Sequence, residues 1–345
     1  MVLDASEMEN KTRINKILII APNWIGDAVL ALPAISRIRK SFPIAMITII
    51  GLPHICELFQ ESPYVDEIRM YKGGMGGLAA GFSLRSEKFD MAILLPNSFR
   101  SALLVRLAGI PLRCGYNRDG RGFLLNMPVR LDPQITRVHQ TDYYRNIVRS
   151  IASSPLTKSQ LFLSQDETRQ ALNTLNENHI TPDDLIIGIN PGATYGSSKR
   201  WYPERFGHVA STLSKRYHAK VIVFGSHKEM DIAEEIVRTA EMPLLNMAGK
   251  TSVRGLMALI SCCRLVVTND SGPMHIAAAL GIPVVAIFGS TDPLLTGPVG
   301  TNHIVIKKEA SCSPCFLRKC PTDLRCMDAI HVEDIIEGVE KILKR

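Results

Sequence analysis

No uninterrupted apolar run in this 345-residue chain approaches the roughly 20 residues that a membrane-spanning helix needs. The stretch from Met1 to Lys16 is polar and charged, without the apolar core of a secretory signal, so a cytoplasmic protein is expected. Also missing is a G-x-G-x-x-G loop. The first strand-like run ends instead in Ala21-Pro22-Asn23-Trp24-Ile25-Gly26-Asp27, which removes the main support for an NAD oxidoreductase. There is no internal repeat or low-complexity segment. With 46% hydrophobic and 21% charged residues the composition is that of a globular protein, and the length allows two domains.

What is present begins with charge. Forty lysines and arginines against 33 acidic residues leave +7, which suits anionic partners. Seven arginines (100, 106, 113, 118, 121, 130 and 137) fall between Arg100 and Arg137 against Asp119 and Asp132 alone. The segment fits either forked contacts to an anionic ligand or a solvated face. Nucleic acid is the poorer partner, because no aromatic stacking pattern or reading motif accompanies the arginines. Eight cysteines without an export signal are expected to stay reduced. Cys312, Cys315, Cys320 and Cys326 are spaced C-x2-C-x4-C-x5-C, which leaves little chain to fold around an ion, so free thiols are favoured over structural zinc and the expected metal site is none.

Short Ile/Val-rich runs alternate with helix-length amphipathic stretches, a βαβ rhythm. Strands are read at Lys16–Ala21, Ala45–Gly51, Asp66–Tyr71 and Asp90–Pro96, and again at Leu185–Asn190, Lys220–Gly225, Arg264–Asn269 and Pro283–Gly289. Helices begin near Gly26, Ser98, Pro203, Lys228, Ser252 and Gly272. Strands this apolar are covered on both faces, hence parallel. Two such series joined by the polar stretch Ser153–Asp184 give two doubly wound α/β domains, residues 1–165 and 166–330, with ligands at the carboxyl ends of the strands. A last amphipathic helix follows over 331–345.

Four strand ends carry chemistry. Asp27 suits a general base for a hydroxyl or, equally, a helix cap. The segment Thr268-Asn269-Asp270-Ser271-Gly272-Pro273-Met274-His275 runs a strand into a helix whose start offers free N–H groups and a positive dipole end to a diphosphate. Asp270, Ser271 and Gly272 are therefore candidate ligand contacts. His275 fits either a ligand or a core position. In the loop Asn190 to Trp201, Thr194, Ser197 and Ser198 can donate to phosphate oxygens that Lys199 neutralises. After the strand ending at Gly225, Glu229 fits a ribose contact or an ordinary first-turn glutamate.

Taken together, Gly26-Asp27 with Pro33, the Pro191-Gly192-Ala193 to Lys199-Arg200-Trp201 loop, Gly225 to Glu229, and Asp270 to His275 resemble the heptosyltransferases of glycosyltransferase family 9. Cys114-Gly115-Tyr116, Asp119 to Gly122, and Cys312 to Phe316 with Cys320-Pro321 resemble the type II branch, which adds the second heptose of the lipopolysaccharide inner core. The resemblance, running from about Lys16 to the C-terminus, implies a GT-B fold. Its N-terminal domain would bind acceptor and its C-terminal domain nucleotide sugar, with the 331–345 helix crossing back to the first domain. It implies ADP-L-glycero-D-manno-heptose as donor, heptosyl-Kdo2-lipid A as acceptor, no cofactor, and peripheral contact with the cytoplasmic face of the inner membrane. Asp27 and Lys199 are then the catalytic pair, with Thr194, Ser198, Glu229, Asp270, Ser271, Gly272 and His275 on the nucleotide sugar. Arg100, Arg118 and Arg121 would hold the acceptor. The competing readings are a type I enzyme or another nucleotide-sugar donor, and a nucleotide-sugar-binding module without transfer.

Overall fold

The computed structural model describes residues 14–71, 82–155 and 159–345, in two compact units that divide between Phe162 and Leu163. The first holds β1 (Lys16–Ile20), β2 (Met46–Gly51), β3 (Glu67–Met70), β4 (Met91–Leu94), β5 (Leu112–Tyr116) and β6 (Met127–Val129), in the order β3-β2-β1-β4-β5-β6. The second holds β7 (Ile186–Asn190), β8 (Lys220–Val223), β9 (Leu245–Asn246), β10 (Leu265–Asn269), β11 (Val284–Phe288) and β12 (Ile304–Lys307), in the order β12-β11-β10-β7-β8-β9. Every neighbouring pair is parallel. Each sheet thus reverses its winding once, between β1 and β4 and between β7 and β10. In such sheets the crevice beyond the strand ends opens at these reversals.

Longer helices cover the sheets: α1 (Ile25–Leu30), α2 (Leu32–Ser41), α3 (Phe99–Leu107) and α4 (Gln140–Ile147) in the first unit, then α5 (Gln165–Glu177), α6 (Pro203–Tyr217), α7 (Met230–Thr239), α8 (Val253–Ser261), α9 (Gly272–Ala279) and α10 (Val332–Leu343) in the second. Pro33 lies in the first turn of α2, where its missing N–H costs nothing, so one expected helix is two short ones. The eight strands read from the sequence are all present, their ends within two residues of expectation. The four it did not reveal are outer ones. β5 lies inside the arginine-rich segment, β6 contains Pro128, as edge strands allow, and β9 has two residues.

The terminal helix corrects one expectation. Rather than crossing to the first domain, α10 buries Ile335, Ile336, Val339 and Ile342 in the core of the second, with Phe206 and Leu213 of α6 and Val285 and Ile287 of β11. Its polar side is tied there too: Arg216 and Tyr217 donate to Glu340 at 2.6 and 2.8 Å. The apolar stripe that had to pack against something is spent on its own domain.

Helix α5, in the expected linker, also belongs to the second unit. Ser164 and Glu167 form a reciprocal capping box, and Arg254 of α8 grips Glu167 through Nε and Nη2 at 2.6 and 2.5 Å. The Arg254 hydrogen bond pulls the Glu167 carboxyl down to about 2 from an ordinary 4.5. The carboxylate therefore stabilises the fold fully above pH 4.5, and that contribution is lost as pH falls from about 4.5 towards about 2. Glu167→Gln is expected to lower the denaturant midpoint at pH 7 and to flatten its fall over this acid window; an unchanged acid dependence would contradict the assignment.

Candidate active site

In the second unit, four adjacent central strands, β11, β10, β7 and β8, bring their carboxyl ends side by side. Lys199, after β7, reaches Asp270, after β10, with Nζ 2.5 Å from Oδ2. Thr291, after β11, donates to the same oxygen at 2.7 Å. Both members of the ion pair are largely buried, with side-chain exposures of 11% and 4%. An ammonium has three N–H groups, so one bond to Asp270 leaves others for an anion. Asp270 does not cap the helix. Ser271 is the N-cap of α9, its side chain makes no capping bond, and Pro273 occupies the first turn. The N–H groups of the first turn stay available there.

The loop beneath is fixed by amides. Asn190 donates to Thr268 Oγ1 at 3.3 Å and Ser271 Oγ at 3.1 Å. Asn269 donates to the Pro191 carbonyl at 2.6 Å and accepts from the Trp201 N–H at 3.2 Å. Gly192 is a position of close approach, because a Cβ there would stand 2.1 Å from Oε1 of Glu229. Glu229 therefore abuts the Lys199 loop, while its Oε2 accepts from the N–H and hydroxyl of Ser226, both at 2.8 Å.

The segment 316–318 lies along this loop as a strap. Its carbonyls accept from Tyr195 Oη at 2.7 Å (Phe316), from the Ser198 hydroxyl (Leu317) and from the Ser198 N–H at 3.2 Å (Arg318). A Cβ on Gly196 would meet the Arg318 carbonyl oxygen at 2.1 Å. The bulky Tyr195 ring is accommodated between cations, 4.8 Å from Lys199 Nζ and 5.3 Å from the Arg318 guanidinium.

In the first unit, Trp24 is the N-cap of α1, while Asp27 stands in the first turn and lines a cavity of about 450 Å³. Asn97, Arg118, Tyr143 and Tyr144 line it as well, so the winding reversal between β1 and β4 carries the cavity. Tyr144 is hydrogen-bonded to Asp27; burial first, and then the negative charge of Asp27, push its hydroxyl well above the usual tyrosine range. It therefore stays protonated and donates to the carboxylate. Asn97 donates to Tyr143 Oη at 2.6 Å, and Tyr116 Oη donates to the Tyr143 carbonyl at 2.7 Å.

Two candidates are corrected. Arg121 is fully buried and does not face a ligand: its guanidinium donates to the carbonyls of Tyr116 and Pro96, to Ser101 Oγ at 3.2 Å and to Asn97 Oδ1 at 3.3 Å. It holds the cavity floor, because a charged group with five donors can be buried only among acceptors. Ser198 is likewise buried, its hydroxyl spent on Leu317, so it is no free phosphate donor. Thr194 and Ser197 are exposed, His275 is buried on α9, and Arg118 and Arg100 are exposed. Tyr144, Asn97 and Thr291 escaped sequence reasoning. Thr291 follows β11 at the same sheet edge as Asp270, a signal within reach; Tyr144 sits in an amphipathic helix and gave none. Among the described residues no group of three or more His, Cys, Asp or Glu is arranged to hold a metal ion, and all eight cysteines are free.

Both the sequence and the fold match known proteins. The chain matches glycosyltransferase family 9 (heptosyltransferase) over residues 78–325. It is 33% identical over 309 residues to lipopolysaccharide heptosyltransferase 2 of Escherichia coli K12, covering 85% of this chain and 88% of that one. The chain belongs to glycosyltransferase family 9. The structure of E. coli ADP-heptose lipopolysaccharide heptosyltransferase II superposes on this glycosyltransferase with a TM-score of 0.83 at 29% identity, covering 95% and 98% of the two chains. A family 9 protein of Veillonella parvula gives 0.84 at 24% identity, covering 95% and 97%. The two six-stranded parallel sheets are thus those of the GT-B fold.

For this glycosyltransferase, Asp270→Ala would leave the Lys199 ammonium buried without its counter-charge. The expected loss is about 3–5 kcal/mol of unfolding free energy, read from urea denaturation; a loss below about 0.5 kcal/mol, the size of a surface change, would show that the pair does not hold the loop.

Proposed function

We propose that the chain is an inverting heptosyltransferase of the type II kind. It moves L-glycero-D-manno-heptose from ADP-heptose to the first heptose of heptosyl-Kdo2-lipid A. The observation that carries the reading is the division of charge: a carboxylate in an open cavity of the first unit, and a lysine with a helix N-terminus at the winding reversal of the second. Such a pair suits a reaction in which one substrate must lose a proton and the other must release a diphosphate that gains negative charge as it leaves.

In this mechanism Asp27 accepts the proton of the attacking hydroxyl, and Tyr144 orients its carboxylate. The acceptor oxygen bonds to the anomeric carbon as the bond to the ADP oxygen breaks on the opposite face. Charge gathers on the diphosphate, where Lys199, the Thr194 hydroxyl and the N–H groups at Ser271 and Gly272 stabilise it. His275 and Asp270 position the sugar and diphosphate, Asp270 doing so through Lys199. Glu229 faces the nucleoside with the oxygen not used in its cap. Arg118, and Arg100 at the start of α3, pair with acidic groups of the acceptor core. Lysine and the helix dipole supply the positive charge that the departing diphosphate requires, so turnover is expected without added metal. The acceptor's lipid places the enzyme at the cytoplasmic face of the inner membrane as a peripheral protein.

The test is incubation with ADP-heptose and heptosyl-Kdo2-lipid A in EDTA, following ADP release and acceptor mass. The wild type should add one heptose, and Asp27→Ala should lose roughly 10²–10⁴ in rate, the range of general-base contributions. Transfer only to an acceptor lacking the first heptose would make it a type I enzyme; no transfer to either would sink the reading.

A further inference from the structure

The aromatic side chains of Phe99 and Phe123 form a pair at 6.0 Å, yet they are 44% and 76% exposed. Neither lies on a loose segment. Phe99 opens α3 directly after its N-cap Ser98, whose hydroxyl accepts from the Ser101 N–H. Phe123 sits in a 3-10 turn between Arg121 and Leu124, the one locked into the cavity floor and the other in the first unit's core. The fold therefore holds two large rings out into water, where burying them would be favourable. The segments that carry the pair have one dominant sign of charge: Arg100, Arg106, Arg118, Arg130 and Arg137 are exposed, against Asp119 and Asp132. The pair is also continuous with the cavity, since Ser98 lines it beside Asp27, and Trp24, 45% exposed, lines it too.

We infer that Phe99 and Phe123, with the exposed arginines of the same segments, are the surface by which the enzyme docks on an anionic lipid bilayer. Phenylalanine rings gain by burial at the headgroup and acyl-chain boundary of a membrane, and arginines are drawn to anionic headgroups within a Debye length. An exposed aromatic pair on arginine-rich segments beside the cavity fits that surface; it would set the mouth of the cavity against the leaflet in which the acceptor's lipid is embedded. This inference rests on the lipid-borne acceptor proposed above and names the face that meets the lipid.

Flotation of the full chain with phosphatidylglycerol or phosphatidylcholine vesicles reads it directly. The wild type should bind the anionic vesicles and release them in high salt, and should bind the zwitterionic ones poorly. Phe123→Ser, which removes a ring already mostly in solvent, should weaken binding roughly tenfold while transfer to a water-soluble, deacylated acceptor stays at the wild-type rate. In Phe123→Trp, which keeps an aromatic ring, brominated lipid should quench the new indole. Full vesicle binding by Phe123→Ser, an unquenched Phe123→Trp, or no vesicle binding by the wild type would each overturn the docking surface. Since vesicle binding needs no turnover and the deacylated acceptor needs no vesicle, the docking surface and the transferase reading fail separately.

Discussion

The second unit is organised around one buried ion pair. Lys199 and Asp270 come from opposite sides of the winding reversal between β7 and β10, and their contact joins the two halves of the sheet where the strand order turns. A buried pair seldom adds much net stability, because desolvation offsets the attraction, whereas losing one partner is costly. What such a pair does supply is position. Asp270 fixes the ammonium at the start of α9, where the helix dipole already favours an anion, and Thr291 fixes Asp270 in turn. The strap over 316–318 and the Gly192 contact with Glu229 hold the loop from its flanks.

The first unit solves the complementary problem with a buried cation of a different use. Arg121 meets no ligand. Its guanidinium gathers Asn97, Ser101 and the Pro96 and Tyr116 carbonyls, and burial lowers its affinity for its proton. Through Asn97 the same network reaches Tyr143, next to the tyrosine that contacts Asp27. Thus each unit places a charged side chain behind the residue proposed to act, on a loop at the carboxyl end of its sheet.

Much of this was legible because the central strands are continuous apolar runs, and the rule that ligands gather at strand ends converts a strand into a short stretch of candidates. Asp27, Lys199 and Asp270 were singled out as candidates that way. What failed was the reading of individual polar side chains. Ser198 and Arg121 carry the right atoms in the right segments, but whether a hydroxyl or guanidinium faces solvent depends on distant carbonyls, Leu317 for one and Pro96 for the other. The C-terminal helix erred for a related reason: periodicity shows that a helix has an apolar face and leaves open which core receives it. The arginine-rich segment hid a strand because Leu112–Tyr116 is only partly apolar and too short to stand out.

The central claim is that donor charge is held by the second unit and proton removal by the first. Calorimetric titration of ADP into wild type, Lys199→Gln and Asp27→Asn separates them, since glutamine keeps a donor for Asp270 while removing the charge. The account predicts equal affinity for wild type and Asp27→Asn, and a loss of roughly tenfold or more in Lys199→Gln, the scale of a charge-assisted hydrogen bond. Unchanged ADP affinity in a folded Lys199→Gln protein, or a comparable loss in Asp27→Asn, would contradict it.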